Sequence, residues 1–300
     1  MRVAAVDIGT NTVRMLVADV AGDRMQDVSR AVDVVGLGRG MDASGAMGAE
    51  PMDAAVAALT EYGQRIREAM PSRIRVVATS ASRDASNSDE LMARIEAVLG
   101  VAPEVITGED EAALAFAGAI WGAGSHGRHL VIDPGGGSTE FVSGVEEPET
   151  AVSIDIGSVR LTDRHLATLP PTSVELERAT SLVREMFGTV PIPESPVSGI
   201  GVAGTFTSLA GIHLELDRYD RVRIHRTVLT VADLERLVQH LSGMSLEETE
   251  AIRSLDPKRA PVILGGAVVA LEAVRRSGLE SVTVSEADML EGIVLGLTRE

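Results

Sequence analysis

Two glycine-rich turns, each preceded by an aspartate, are the parts of this chain best suited to chemistry. The stretches VAAVDIGTNTVRMLVADV (3–20) and HLVIDPGGGSTEFVSGV (129–145) share one order: an apolar run, Asp, the turn, hydroxyl residues and a second apolar run. Glycine lacks a Cβ and tolerates positive φ, so backbone N–H groups in such turns can converge on an anion. The repeat therefore predicts that this protein binds phosphate at two loops.

The β-branched runs on either side of each turn predict the two arms of a hairpin. Asp7 ends the first arm of the first hairpin, and Asp133, 126 positions later, ends the first arm of the second. Either motif alone could be a tight hairpin with a turn-favouring Asp-Gly pair, so the interpretation depends on the repetition. The candidate phosphate-binding residues are Gly9, Thr10, Asn11 and Thr12 in the first turn, and Gly135, Gly136, Gly137, Ser138 and Thr139 in the second.

Composition excludes several classes of protein. The absence of cysteine rules out disulfides, thiolate catalysis and Cys-ligated zinc. A net charge of −17 and an aromatic content of 2% argue against general nucleic-acid binding, which needs a cationic field and stacking platforms. No signal peptide is apparent, and no apolar run reaches the roughly 20 residues that a membrane span needs. We therefore expect a cytoplasmic protein that does not enter a membrane.

Strand-like and helix-like segments alternate along the chain, which favours an α/β protein with mixed sheets and covering helices. Its length favours about two domains. Because each half starts with the same hairpin, we predict two similar domains facing each other across a cleft, where ligands commonly bind. We place them at residues 1–122 and 123–300, with the C-terminal helix, 286–300, as a candidate to pack back on the first domain.

A basic segment stands out in the second half of this acidic chain. It could guide a polyanion toward the cleft. A strand near 223–229 would equally make its arginines an ordinary solvated face, so both interpretations stay open. His126 and His129 lack partner ligands at a zinc-motif spacing, and we expect them at the surface of a hinge between the domains. The basic residues are Arg218, Arg221, Arg223, His225 and Arg226.

Eight motifs, taken together and in order, carry a resemblance to a known family. They are AAVDIGTNTVRMLV, VATSASRDASN (77–87), VITGEDEAALAFAGA (105–119), LVIDPGGGSTEFV (130–142), SIDIGSVRLTD (153–163), GIGVAGTFTSLAGI (199–212), DPKRAPVILGGAVVAL and VTVSEADMLEGIVLGL. This combination resembles the exopolyphosphatase/guanosine pentaphosphatase (Ppx/GppA) family of the actin-like, sugar-kinase-like, Hsp70-like superfamily. The resemblance covers nearly the whole chain and implies two actin-like, ribonuclease H-like domains.

The resemblance also implies catalytic roles. Glu111, in TGEDEA, falls on the glutamate proposed as the base, and phosphoanhydride hydrolysis needs a carboxylate that orients or deprotonates water. Arg83 matches an arginine directed to the cleft, and Glu140 matches a second acidic position near metal or water. Two alternatives remain: the acids at 109–111 could simply stabilise a helix N-terminus, and Arg83 could pair with Asp84 or Asp89 at the surface.

The implied cofactor is Mg²⁺ or another divalent cation, with Asp7, Asp133 and Glu140 as its candidate ligands because ionised carboxylates are oxygen acceptors that Mg²⁺ prefers. Gly204 and Thr205 are further binding candidates, since a strand, a glycine turn and a helix N-terminus in succession favour an anion. The chain departs from the family pattern at three positions, which leaves the local geometry open. Asp110 replaces a glutamate, Ala113 stands where arginine is common, and Pro134 stands where an aliphatic residue is usual.

The leading hypothesis is a Mg²⁺-dependent exopolyphosphatase that releases terminal orthophosphate from inorganic polyphosphate. Short chains are favoured, because the additional C-terminal helical domain of longer relatives is absent. Hydrolysis of guanosine pentaphosphate is the nearest alternative, followed by a non-catalytic polyphosphate or alarmone sensor. TGEDEA argues against a superfamily kinase, and the missing actin-type insertions argue against an actin-like assembly protein. The apolar C-terminal helices are compatible with a homodimer.

Overall fold

Two mixed β-sheets, each covered by helices, form the protein. The computed structural model describes residues 1–22, 24–124, 127–191 and 198–299, so His126 lies outside the described residues. The strands are β1 (Arg2–Ile8), β2 (Thr12–Ala21), β3 (Arg24–Val34), β4 (Arg73–Ala78), β5 (Glu104–Val105), β6 (His129–Pro134), β7 (Thr139–Gly144), β8 (Pro148–Ile154), β9 (Ser198–Gly201), β10 (Val228–Thr230) and β11 (Ser281–Val284).

Helices connect the strands and cover both sheets. They are α1 (Met41–Ser44), α2 (Ala49–Ala69), α3 (Ser80–Asp84), α4 (Ser88–Leu99), α5 (Gly108–Ala123), α6 (Ser158–His165), α7 (Ser173–Phe187), α8 (Ala203–His213), α9 (Arg221–Ile224), α10 (Val231–Ser242), α11 (Leu246–Glu250), a 3₁₀ turn (Pro257–Arg259), α12 (Ala260–Arg276) and α13 (Met289–Arg299). Among the described residues, no helix combines the length and the apolar character that crossing a membrane requires.

The two sheets repeat one topology. In the first, the order is β3-β2-β1-β4-β5, with β1 and β2 antiparallel and β1 parallel to β4. In the second, β8-β7-β6-β9-β11 follows the same plan, and β10 adds an antiparallel edge strand. Each repeat therefore opens with the hairpin that the sequence predicts. The α/β class with two similar halves is confirmed. We call the halves the first lobe and the second lobe.

The C-terminal helix α13 packs on the sheet of the first lobe, although β11 immediately before it belongs to the second. Met289, Ile293 and Val294 are buried against Val3 and Leu16 of that sheet. This apolar contact ties the end of the chain to its beginning. The domain limits at 122 and 123 stay a prediction, because helix and sheet here interleave.

Helices α5 and α13 cross so closely that glycine is required at the crossing. A Cβ on Gly118 would lie 1.7 Å from the Asp288 carbonyl oxygen, and one on Gly292 would lie 2.0 Å from the Leu114 carbonyl oxygen. Neither carbonyl can move without displacing its helix. The crossing therefore depends on the absence of a side chain at both positions.

The variant Gly292→Ala is expected to lower the free energy of unfolding by about 1–3 kcal/mol, the usual cost of overpacking a core. The control is Gly296→Ala in the same helix, where a Cβ would meet nothing within 4 Å. Gly296→Ala should raise the free energy of unfolding by about 0.5–1 kcal/mol, because alanine has a higher helix propensity than glycine. Urea unfolding followed by circular dichroism measures both. Equal stabilities of the two variants would contradict the close crossing.

Most predicted elements are present, with a few differences. The strand near 223–229 is wrong: residues 221–224 form the helical turn α9, and only Val228–Thr230 pairs in the sheet. Asp220 caps α9 by accepting from the N–H groups of Val222 and Arg223, which favours a turn there. His129 is buried, 3% exposed, and is therefore not the surface residue that we expected.

Candidate active site

The two glycine turns have the same internal geometry. In the first, the Gly9 N–H donates to the Thr12 carbonyl at 2.9 Å; in the second, the Gly135 N–H donates to the Ser138 carbonyl at 3.0 Å. Each turn therefore closes on itself across the two residues at its tip. The two motifs are therefore alike in the hydrogen bond that closes the turn as well as in sequence.

The tips of the two turns meet. A Cβ on Gly136 would lie 2.9 Å from Thr10 Cβ, and one on Gly137 would lie 3.0 Å from Thr10 Oγ1. Within the described ranges, the N–H groups of Thr10, Asn11, Gly136 and Gly137 find no acceptor in the chain. All four residues line one cavity of about 760 Å³ between the lobes. Unpaired backbone donors around one space are suited to holding an anion.

Glu111 lies at the start of α5 and lines the same cavity. Arg83 Nη1 donates to Glu111 Oε2 at 2.9 Å and also to the Ile106 carbonyl at 2.9 Å. Burial raises the pKa of Glu111, while Arg83 and a hydrogen bond from Thr79 oppose that rise. Arg83 does not pair with Asp84 or Asp89, so its guanidinium orients the proposed base.

The neighbouring acids of TGEDEA have other roles. Thr107 accepts from the Asp110 N–H, and the Asp110 carboxylate accepts from Thr107, which together form a capping box at the start of α5. Glu109 is exposed. Helix-end stabilisation therefore explains Asp110, where aspartate replaces the family's glutamate, but it does not explain why Glu111 lines the cavity and pairs with Arg83.

Asp7 and Arg14 face each other across the first hairpin, and directly opposed residues share one face of a sheet. Arg14 Nη2 lies 2.6 Å from Asp7 Oδ2, and Arg14 also pairs with Asp288, just before α13. The other oxygen, Asp7 Oδ1, is buried without a hydrogen-bond partner. Asp7, Arg14 and Asp288 all line the cavity.

The second hairpin opposes Asp133 to Glu140, where the first opposes Asp7 to Arg14. Burial, with Asp288 and Glu111 nearby, raises the pKa of Asp133 to about 8. Burial also raises the pKa of Glu140, whose Oε1 accepts from Ser153 at 2.7 Å. The second lobe thus contributes buried carboxylates without the arginine that balances charge in the first.

These carboxylates fit a divalent cation held partly by ligands other than protein. Asp7 and Asp133 line the cavity, whereas Glu140 lies behind its lining. Across the described part of the chain, no three acidic or histidine side chains are grouped closely enough to hold an ion. Mg²⁺ commonly keeps several waters and uses one or two carboxylates plus substrate phosphates. The unpartnered Asp7 Oδ1 and the crowded acids suit such a site.

The remaining candidate residues divide between the cavity and the packing around it. Thr139 lies outside the cavity lining and donates its hydroxyl to the Ile156 carbonyl at 2.5 Å. Thr205 lines the cavity, but its hydroxyl donates to the Pro134 carbonyl at 2.9 Å. Residue 134 therefore takes part in this hydrogen bond through its carbonyl, and the N–H that proline lacks is not needed for it. The candidates that line the cavity are Asp7, Gly9, Thr10, Asn11, Thr12, Glu111, Asp133, Gly135, Gly136, Gly137, Ser138, Gly204 and Thr205.

Sequence reasoning missed Arg14, Asp288 and Arg259. Arg259 packs on Gly204, where a Cβ would lie 1.9 Å from its Nη1, and burial lowers the pKa of Arg259. Within the described ranges it forms no salt bridge, so its charge is available to an anion in the cavity. The hairpin register, which pairs position 7 with position 14, could have identified Arg14; the other two needed the tertiary structure.

The basic segment contributes one residue to the cavity. Arg221 lines it and pairs with Glu286 and Asp27. Arg226 donates to the Ala123 carbonyl, and His225 Nδ1 accepts from the Glu286 N–H. Arg218, Arg223, His225 and Arg226 lie outside the cavity lining, so only Arg221 is placed to attract a polyanion into it.

Comparison with known proteins agrees with this geometry. A model of the Ppx/GppA phosphatase family matches residues 16–300. Exopolyphosphatase 2 of Mycobacterium tuberculosis is 43% identical, and the match covers 99% of this chain and 98% of that protein. The crystal structure of an exopolyphosphatase-like protein has a TM-score of 0.92 at 34% identity, covering 99% of this chain and 97% of that one.

A second crystal structure, of an exopolyphosphatase from Cytophaga hutchinsonii, has a TM-score of 0.88 at 27% identity, covering 100% of this chain and 98% of that one. The resemblance inferred from the eight motifs is thereby confirmed over nearly the whole chain. From the family match, the shared fold and the full-length similarity, this chain belongs to the Ppx/GppA phosphatase family.

Proposed function

We propose that this protein is an exopolyphosphatase, which removes the terminal phosphoryl group of inorganic polyphosphate. The observation that carries the proposal is the pair of turns whose unpaired N–H groups line one cavity together with the partly buried Glu111. Relatives named as exopolyphosphatases, one of them 43% identical over nearly the full length, support the same reaction. We expect short chains to be the better substrates.

The turns would bind the terminal phosphoryl group from both lobes. The free N–H groups of Thr10, Asn11, Gly136 and Gly137 would donate to its oxygens, as backbone amides do in other phosphate-binding turns. Arg14 and Arg259, which line the same cavity, would balance the charge of the phosphates further along the chain. Binding would therefore require the lobes to stay together.

Glu111 would activate the attacking water. Its carboxylate, held by Arg83 at 2.9 Å, would accept a proton as the water oxygen forms a bond to the terminal phosphorus and the bridging P–O bond breaks. The leaving oxygen stays on the shortened chain, and Glu111 then returns its proton to solvent. The raised pKa of Glu111 favours its accepting a proton during this step.

A divalent cation, Mg²⁺ or another, would be held by Asp7 and Asp133, with Glu140 supporting from behind the cavity lining. When bound, such an ion neutralises phosphate oxygens as charge develops on them. The buried acids would then be paired with positive charge rather than raised in pKa. Chelation by EDTA should therefore stop turnover, and added Mg²⁺ should restore it.

The test is orthophosphate release by the purified protein with Mg²⁺, offered short polyphosphate, long polyphosphate, guanosine pentaphosphate and ATP in parallel. Release from polyphosphate, with a higher kcat/KM on short chains, would support the proposal. Preference for guanosine pentaphosphate would replace it with the alarmone reaction. Tight binding of these compounds without release from any of them would make the protein a sensor.

Two further expectations remain predictions. A homodimer would be detected by sedimentation at micromolar concentration, and a cytoplasmic location by fractionation of the source cells. Neither affects the reaction proposed above, because every residue invoked in it belongs to one chain.

A further inference from the structure

Each phosphate-binding turn is held by a short helix of its own lobe. In the second lobe, the Ser158 and Val159 N–H groups of α6 donate to the carbonyls of Gly135 and Gly136, both at 2.9 Å. In the first lobe, the Ala81 N–H of α3 donates to Thr10 Oγ1 at 3.2 Å. Helix α3 also carries Arg83, which orients Glu111. The positions of α3 and α6 therefore set those of both turns and the base.

Ion pairs join α6 to two short helices of the first lobe, α3 and α1, across the cleft. Arg160 of α6 pairs with Asp84 of α3, and its Nε lies 3.8 Å from Asp42 Oδ1 in the first lobe. Arg164, one turn further along α6, also pairs with Asp42. The Gly40 N–H donates to Asp163 Oδ2 at 2.7 Å. We call the ion pairs of Arg160 and Arg164 with Asp42 and Asp84 the latch.

Three residues of the latch line a second cavity, of about 200 Å³, next to the meeting point of the turns. Thr10, Ser80 and Gly137 line it on the side of the turns, and Asp42, Asp84 and Arg160 line it on the other. The Arg160 side chain is only 17% exposed, so its charge is less screened than that of a fully exposed arginine. A network of several charges holds better than one exposed pair.

We propose that Arg160 and Asp84 are positioning residues for the reaction: their ion pair keeps α3 and α6 in register, so that both turns and Glu111 face one bound phosphoryl group. Neither residue lines the main cavity, so they act without touching the substrate. The expected effect on kcat/KM rests on the proposed function. The expected effect on closure of the lobes does not depend on it.

Weakening the latch lowers the fraction of molecules in the closed, binding-competent state, and the apparent affinity for substrate falls by that fraction. Saturating substrate restores closure because it binds both turns. The loss therefore falls mainly on KM. Salt screens the ion pairs of the latch. The ratio of the wild-type kcat/KM to that of a latch variant should therefore fall as ionic strength rises.

The experiment reverses and then exchanges the charges. Arg160→Asp and Asp84→Arg should each lower kcat/KM for polyphosphate by about two- to fivefold, mainly through KM, because the Asp84 side chain is 41% exposed and ion pairs with an exposed partner are weak. The double exchange D84R/R160D should recover at least half of that loss. The matched controls are Arg94→Asp and Asp53→Arg, a pair that joins α4 and α2 within one lobe and should leave kcat/KM unchanged.

Closure itself is measured without turnover. The chain has no cysteine, so Glu68→Cys in the first lobe and Glu177→Cys in the second give two unique sites for fluorescent dyes. Fluorescence energy transfer between the two dyes should fall in Arg160→Asp and in Asp84→Arg, because the lobes separate. It should return to the wild-type value in the double exchange. Wild-type energy transfer and wild-type kcat/KM in both single variants would overturn the proposal. If no substrate is hydrolysed by the wild type, the proposed function fails while energy transfer still decides the latch.

Discussion

The variant Glu111→Gln is expected to lower kcat for orthophosphate release by about 10²–10⁴-fold, the usual contribution of a positioned general base. Glutamine keeps the shape of the side chain and an oxygen that accepts from Arg83 and Thr79, but it cannot take a proton from water. KM should change little, because the backbone donors that hold the phosphate remain. Stopped assays of orthophosphate over a range of polyphosphate concentrations separate the two parameters.

Glu109→Gln is the matched control, because it removes the same charge two residues earlier in α5 from an exposed side chain. Its kcat should stay within about twofold of the wild type, since surface substitutions of this kind have small effects. Equal losses in the two variants would mean that the helix N-terminus needs negative charge as such, and Glu111 would lose its role as the base.

Gly137→Ala is expected to lower kcat/KM by about tenfold or more, because separating two packed surfaces to admit a methyl group costs about 1–3 kcal/mol. The added Cβ would lie 2.4 Å from Ser80 Oγ and 3.0 Å from Thr10 Oγ1, so the Ser80 hydroxyl must rotate away and the Thr10 side of the contact must shift by a few tenths of an ångström. The donors of the two turns would then no longer be matched to one phosphoryl group. Steady-state kinetics on short polyphosphate give the value.

The double variant G137A/S80G should recover a substantial part of this loss, because it removes the nearest obstructing atom. Gly243→Ala serves as the control, since its Cβ would make only ordinary contacts, 3.6 Å from the His240 carbonyl oxygen and 3.9 Å from that of Gln239. Wild-type kcat/KM in Gly137→Ala would show that contact between the turns is not needed for turnover.

Local pattern was sufficient for the regular elements. The hairpins at 3–20 and 129–145 form as predicted, because a β-branched apolar run on each side of a glycine turn specifies a hairpin within one stretch of chain. The short helices α3 and α6 were not predicted. Five or eight residues carry too little periodicity to be recognised, and their helical geometry depends on hydrogen bonds to the turns of their own lobes.

The glycine turns, Asp7, Asp133 and Glu111 could be chosen from sequence because their chemistry lies in one motif each. Their arrangement could not. Glu111 is oriented by Arg83, 28 positions away, and Arg14 is shared with Asp288, 274 positions away. Sequence spacing contains no information on which distant charges meet, since that depends on how the sheets and helices pack.

The sequence by itself determined the two-lobed α/β architecture, the two glycine turns and the family, because repetition, glycine and strand patterns are local properties. Only the tertiary structure decided that the turns meet tip to tip, that Arg83 pairs with Glu111 and that Arg160 of α6 pairs with Asp84 of α3. The physical reason is that an ion pair or a close contact forms only where packing brings its two members together. Here those members lie too far apart in the chain for one motif to contain both.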